Sequence, residues 1–408
     1  MNKTQQPSVD QRIVLLDVLR GFAIFGIFVV NIEIMNCFLV EADSCYAGQT
    51  GLLDRLADEI RRLFFYTKFF PIFSMLFGLG VGIQIMSRTR KGFAVWPFIG
   101  RRMTWLFLFG VAHILLLWTG DVIHLYAIIG LTGPLLFRLS ARSLLYVSLF
   151  ILLVFPWASI PLYDWIATLM NSMGLDGLLT SFSSVYSQGE IGRIMSEGSY
   201  SEQVLLRSRE YWTNAPMIWS YFAPLALSMF ILGLSLARSG VYLDLPAFAR
   251  RVRKPVLIMA LATNLFRIFF LYLVLEQGWH RMEGVGPILL GIMPVCDVLM
   301  GLFYLWLVAY FFPKFSHSKL SFGLAAVGRT ALSNYILQSV IGMLLVSSIG
   351  LGMYGSLTKW DSLLIALSVF PIQAALSVFW LRRFRFGPLE WAWRCLTYVR
   401  YFPLKRQL

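Results

Sequence analysis

Runs of apolar residues long enough to cross a hydrocarbon layer of ~30 Å recur along this chain from residue 13 to about residue 380. Backbone polar groups in lipid must be paired within the fold, so the expectation is an all-α polytopic membrane protein built as one compact helical bundle. With 58% of the residues apolar and 14% charged, the chain is not the pair of soluble domains that 408 residues would otherwise allow.

The formal charge of +14 falls in short clusters between the apolar runs, which reads as membrane topology and excludes nucleic acid as the natural partner. Four cysteines, Cys37, Cys45, Cys296 and Cys395, show no CxxC pair and no His partner at zinc spacing, so no metal is expected; a Cys37 to Cys45 bridge on the outer side stays open. The first apolar run carries Asp17 and Arg20 and has no small-x-small cleavage site, so it reads as a retained span.

About ten helices are expected, at 13–38, 64–86, 102–119, 121–138, 143–168, 216–237, 255–275, 285–312, 321–349 and 361–381. With the N-terminus inside, 23 of the 35 Lys and Arg fall in inner segments, 8 in outer ones, and Arg20, Lys68, Arg267 and Arg329 within spans. That asymmetry puts both termini in the cytoplasm and the protein in the cytoplasmic membrane. The division that follows is an N-terminal half over 13–168, an outer loop over 169–215, a C-terminal half over 216–381 and a basic aromatic tail over 382–408. The loop is rich in Ser, Gly and Glu and is long enough to be partly ordered over a site. The tail mixes Arg with Trp, Tyr and Phe, as an interfacial helix or a topology anchor does.

A charge near the bilayer centre costs at least ~2.5 kcal/mol, so polar residues inside the spans are the most informative functional signal. Asp17 and Arg20, three apart in LLDVLRGFAIFGIFVVN, share a helix face and pair. Asn31 stands eleven residues beyond Arg20, about 16 Å along the helix. The third span repeats this spacing from Arg102, beside Arg101, to His113 in RRMTWLFLFGVAHILLLWTGD. Histidine is the side chain that takes and returns a proton most readily in proteins, and His113 is the best candidate general base in the chain; its bland alternative is a helix-packing histidine. Asp121, then His124 and Tyr126, follow within a short hairpin, and Asp121 suits either orienting His113 or capping the next helix.

Further on, Arg267, Asp297 and Arg329 sit inside spans, where an Asp297 to Arg pair is the plain structural reading. In GRTALSNYILQ, Arg329, Ser333, Asn334 and Gln338 form a polar stripe turned to a cavity or to partner helices. The second span, TKFFPIFSMLFGLGVG, has Pro71 as a kink and Gly78, Gly80 and Gly82 for close packing.

The run LLDVLRGFAIFGIFVVN, the block GVAHILLLWTGDVIHLYAIIG, the segment VGRTALSNYILQS and the tail RRFRFGPLEWAWRCLT together resemble the YeiB family (domain of unknown function 418) over residues 15–397. That family looks like a branch of the transmembrane acyltransferase superfamily, which includes the lysosomal heparan acetyltransferases and the bacterial acyltransferase-3 proteins. The resemblance implies transfer of an acyl group, acetyl among the candidates, from cytoplasmic acyl-CoA to a hydroxyl or amine acceptor, sugars included, at the outer face. The Arg-x10-His motif of the acyltransferase-3 proteins is matched by Arg20 but has Asn31 in place of His. The heparan enzymes resemble this chain in having Asn there, yet the His they carry a little further on is missing, and His113 with Arg102 is the natural substitute.

On this reading Arg20, Arg101 and Arg102 hold the phosphates of acyl-CoA, His113 takes a proton from the acceptor, Asn31 donates to the oxyanion and Asp121 supports the base. Asp17, His124, Tyr126, Arg267, Arg329 and Asn334 complete the expected substrate contacts. The partners would be acyl-CoA, an envelope or small-molecule acceptor, the bilayer and a second copy in a homodimer. Two rival classes stand beside this one: a transporter or lipid flippase, against which the absence of evident broken half-helices counts, and a ligand-binding membrane protein without chemistry.

Overall fold

The computed structural model describes residues 9–38, 45–49, 51–175, 177 and 186–406, with the backbone alone at 9–13 and 188. The polar segment 1–8 and the middle of the Ser-rich stretch expected at 169–215 lie outside the described residues. About 81% is helical, and no strand occurs among the described residues.

The helices used below are α1 Val9–Asn36, α2 Leu52–Phe64, α3 Phe69–Arg90, α4 Trp96–Leu116, α5 Ile123–Leu131, α6 Ala141–Ser172, α7 Tyr200–Met217, α8 Ala223–Ser239, α9 Arg253–Phe269, α10 Val285–Phe315, α11 Lys319–Arg329, α12 Ala331–Val346, α13 Lys359–Arg383 and α14 Pro388–Tyr398. Short helices at Gly133–Leu136, Gln188–Ser196 and Leu245–Arg251 join them. Among the described residues, eight helical stretches are long and apolar enough to cross a membrane. The other two of the ten expected spans are shorter: α5 has 9 residues, and the span expected at 321–349 is divided at Thr330 into α11 and α12.

The kink expected at Pro71 falls a few residues earlier. The chain breaks between α2 and α3 at residues 65–68, where Thr67 adopts φ 60°. A β-branched side chain is strained in that left-handed region, and Thr67 Oγ1 is tied to the carbonyl of Tyr66 at 2.7 Å and to Asp297. Neither break is evident in the sequence as a pair of half-helices.

Apolar helices in lipid gain little by hiding apolar surface from one another, so close approach through small residues does much of the work. At Gly78 and Gly233, facing positions of α3 and α8, an added Cβ would run into the partner's backbone. Gly21 and Gly328 do the same for α1 against α11, which fixes the inner half of α1 beside the Thr330 break. Around these contacts a single large core gathers α1, α3, α4, α5, α6, α8, α10 and α11.

Two ends result. Asp17, Arg20, Arg102, Arg329 and the docked helix α14 lie at one, where Trp393 Nε1 donates to the carbonyl of Arg102 at 2.8 Å. Asn36, Tyr46 and Leu357 meet at the other, beside a Cys37–Cys45 disulfide.

Candidate functional site

Each end opens into a cavity. The one at the α14 end, named inner after the expected topology and about 400 Å³ in volume, is bounded by Arg20, Arg102, Arg329, Glu390 and Arg394, and its far wall is Ile27, Val122 and Tyr335. The outer one, about 770 Å³, is lined by Asn31, Glu33, Asp121, Glu210, Arg267 and Asp297 among others. Ile27 and Val122 line both, so only these side chains and their neighbours part the two spaces.

Beside that partition lies a chain of buried polar groups. His113, on α4, and Asp121, just before α5, are brought together by the tight turn at 117–122, and His113 Nδ1 stands 2.9 Å from Asp121 Oδ2. The contact is short but out of line for a good hydrogen bond. Asp121 Oδ1 accepts from both the backbone N–H and Nδ1 of His124 at 2.8 Å, so the carboxylate caps the start of α5 and holds two imidazoles at once. His124 Nε2 faces the hydroxyl of Tyr211 at 3.2 Å, and Tyr211, on α7, lines the outer cavity. On the other side, His113 Nε2 is 2.7 Å from Ser339 Oγ, on α12. The tautomers that satisfy the network place the proton of each histidine on Nδ1, facing Asp121. The side chains of His113 and Asp121 are fully shielded from solvent.

The outer cavity is walled by charges that already have partners. Glu33 meets Arg61 at 3.1 Å and the Tyr66 hydroxyl at 2.7 Å; Asp58 meets Arg62 at 2.6 Å and Lys359 at 2.8 Å. Asp297 accepts from Lys68 at 3.1 Å and from Arg267 and Thr67, the Asp297 to Arg pair that the plain reading anticipated, with a lysine added. Tyr46 donates to the carbonyl of Glu33, and burial pushes its hydroxyl up to about 12. Two π-helical turns, Ile218–Phe222 and Phe270–Leu275, give Ile218, Phe222 and Leu271 to this wall, and such turns often mark functional sites.

The expected site residues separate as follows. His113, Asp121 and His124 are in one cluster, and Asn31 lines the outer cavity below it. Arg20, paired with Asp17 at 2.9 Å, lines the inner cavity with Arg102, whose guanidinium stacks 3.5 Å from the Trp393 ring. Tyr126 also lines it, donating to the carbonyl of Phe70 at 2.8 Å, and Arg329 opens onto it from the Thr330 break. Arg267 belongs to the outer cavity.

Two expected residues are elsewhere. Arg101 turns away and donates through Nε to the carbonyl of Thr397 at 3.0 Å, fastening α14. Asn334 is buried and binds Thr330 Oγ1 at 2.7 Å and Ser377 Oγ at 2.9 Å, and Gln338 binds Gln373 at 3.0 Å. Asn334 and Gln338 of the polar stripe therefore meet the helix α13, while Arg329 faces the inner cavity and Ser333 binds Glu390 of α14. Ser339 and Tyr211 were not singled out by the sequence, and Lys68 only as one of four basic residues within spans; Ser339 follows Gln338 directly, but nothing in the spacing turns it towards His113. Among the described residues no group of three or more His, Cys, Asp or Glu is arranged to hold a metal ion.

Residues 236–400 match the family model described as "Protein of unknown function (DUF418)". The chain is 29% identical over 419 residues to "Uncharacterized protein YxaH" of Bacillus subtilis (strain 168), covering 100% of this chain and 99% of that one. It is 28% identical over 400 residues to "Uncharacterized protein YeiB" of Escherichia coli (strain K12), covering 95% and 96%. No solved structure matches the chain. The C-terminal part of the chain thus matches the DUF418 family model, and the whole chain is similar from end to end to these relatives.

Proposed function

We propose that this protein is a transmembrane acyltransferase that takes an acyl group from acyl-CoA in the inner cavity and delivers it to a hydroxyl or amine in the outer one. The observation that carries this reading is that cavities from the two ends meet at Ile27 and Val122, one residue from Asp121 and against the Tyr335 ring, whose centroid is 5.2 Å from that of His113.

Phosphates of the donor would sit among Arg20, Arg102, Arg329 and Arg394, where four guanidiniums face one carboxylate. The N-terminus of α12 opens at the same place and adds its positive end. From Arg102 to His113 the helix rises about 16 Å, which suits an extended pantetheine arm ending at Tyr335 and Val122. His113 Nε2 acts as general base, Asp121 holds its tautomer and stabilises the imidazolium, and Asn31 supplies an oxyanion donor from the acceptor side. Acceptors enter the outer cavity, which helix α7 covers with Glu210, Tyr211 and Asn214. We place the outer cavity on the far side of the cytoplasmic membrane, in keeping with the Lys and Arg count and with a disulfide at that end.

The test is thiol release from acetyl-CoA and longer acyl-CoAs by the protein in lipid nanodiscs, with a cell-envelope extract as acceptor and His113→Ala in parallel. Release that is lost in the variant supports the reading; absent release, or equal release from a folded variant, defeats it.

A second reading, a transporter of a small molecule or lipid, is favoured by the two divided helices, since the break at 65–68 lines the outer cavity and the Thr330 break the inner one. Proton-dependent uptake into vesicles without thiol release would select it.

A further inference from the structure

The cluster contains a group that direct transfer does not use. Ser339 is 1% exposed, and its Oγ lies 2.7 Å from His113 Nε2, while the opposite nitrogen of the same ring faces Asp121 at 2.9 Å. A serine within a membrane helix ordinarily returns its proton to the carbonyl four residues back, as Thr330 does to Ala326 at 2.9 Å. Ser339 is 3.5 Å from the carbonyl of Tyr335 and has turned its hydroxyl to the imidazole. Hydroxyl on Nε2 and carboxylate on Nδ1 is the order that makes a serine nucleophilic on unrelated folds. The position matters as much as the order. Tyr335, one turn earlier on α12, lines the inner cavity, and Asp121, across the His113 ring, lines the outer one, so Ser339 is buried beside residues of both cavities though it lines neither.

We infer that Ser339 carries the acyl group as an ester between the two cavities. The inference rests on the acyl-transfer reading and adds a covalent step to it. In the first half-reaction His113 Nε2 takes the Oγ proton, Oγ bonds to the thioester carbonyl, the C–S bond breaks, and the departing CoA thiolate receives the proton from His113. In the second, the acceptor hydroxyl or amine gives its proton to His113 and attacks the ester, and Ser339 Oγ leaves and recovers the proton. Nothing is oxidised or reduced, and the net change is acyl transfer from sulfur to the acceptor. A carrier beside residues of both cavities lets donor and acceptor arrive from opposite faces without either crossing the Ile27–Val122 wall.

The full chain in nanodiscs is incubated with acetyl-CoA labelled in the acetyl carbon, without acceptor, quenched in acid and digested. The expected result is a base-labile label on the peptide bearing Ser339, lost on adding acceptor. Ser339→Ala loses the label and at least about 10³-fold in turnover. Ser339→Cys, close in shape, carries the label as a thioester that neutral hydroxylamine removes, a signature that a packing role does not produce and that does not depend on the alanine variant folding. Thiol release in the wild type with no trapped label, or a label that persists in Ser339→Ala, overturns the carrier and leaves acyl transfer standing. No thiol release under any condition removes both.

Discussion

The two cavities meet at the same pair of side chains yet are furnished in opposite ways. The inner one has four arginines on its wall, of which Arg20 is paired with Asp17, and a single carboxylate, Glu390, which Ser333 already binds through its hydroxyl at 2.5 Å and its N–H at 3.0 Å. The outer one has five carboxylates on its wall, and each is matched: Glu33 by Arg61, Asp58 by Arg62 and Lys359, Asp121 by two histidines, Glu210 by Thr119 at 2.5 Å, Asp297 by Lys68 and Arg267. Unmatched cations attract an anion and make its binding salt-dependent; matched pairs set a shape and offer hydrogen bonds to a neutral polar guest. The difference is what a donor with phosphates on one side and a hydroxyl-bearing acceptor on the other would require.

The largest effect is expected where the cavities join. His113→Ala should lower turnover by about 10³-fold or more with donor affinity nearly unchanged, because the base is needed only as the proton moves. Asp121→Asn removes the acceptor that both imidazoles share and should cost about 10²- to 10³-fold, with a shifted pH profile. Asn31→Ala, if it loses an oxyanion donor, should cost about 10²-fold in kcat and little in KM. A fall in donor affinity alone from any of the three would show that this cluster packs helices and performs no proton transfer.

Next come the ion pairs, where the cavities predict unequal costs for the same kind of change. Lys68 is fully buried against Asp297, and Lys68→Met leaves Arg267 as that carboxylate's remaining cation, whereas Asp297→Ala strands two buried cations. Asp297→Ala should therefore lower stability by about 3–5 kcal/mol, with Lys68→Met milder. At the inner end Arg20 is 29% exposed in its pair with Asp17, and Asp17→Asn should cost no more than about 1 kcal/mol. Thermal unfolding in detergent ranks the three; equal losses would mean that water reaches both cavities alike.

Which of these features the sequence made legible follows from how far apart the partners are along the chain. Asp17 and Arg20 are three residues apart and His113, Asp121 and His124 lie within twelve, so helical geometry and one tight turn sufficed to bring them together. Ser339 is 226 residues from His113 and Lys68 is 229 from Asp297, and nothing local states which face of α12 or which side of the 65–68 break will meet them. The partners of Asn334 were out of reach for the same reason. A polar stripe reports only that a face avoids lipid, and here α13 answers it with Ser377 and Gln373. Eight of the ten expected spans were plain from hydropathy, but the break at Thr330 was not, and the one at 65–68 falls a few residues before the Pro71 that announced a kink.

The smallest effects come from two neighbours on one helix. Arg102 faces the inner cavity over Trp393, and Arg101 reaches past it to the backbone of Thr397. Arg102→Ala should weaken acyl-CoA binding about 10- to 100-fold, the loss of one charge-assisted contact to phosphate, and should flatten the salt dependence. Arg101→Ala removes a single hydrogen bond worth about 1 kcal/mol to the docking of α14 and should leave the donor Kd within about twofold, because its charge stands outside the cavity. Titration of CoA against both variants at low and moderate salt separates a site built from directed guanidiniums from a merely basic surface. On a basic surface the two arginines would be equivalent, and the inner cavity would lose its claim to be a donor site.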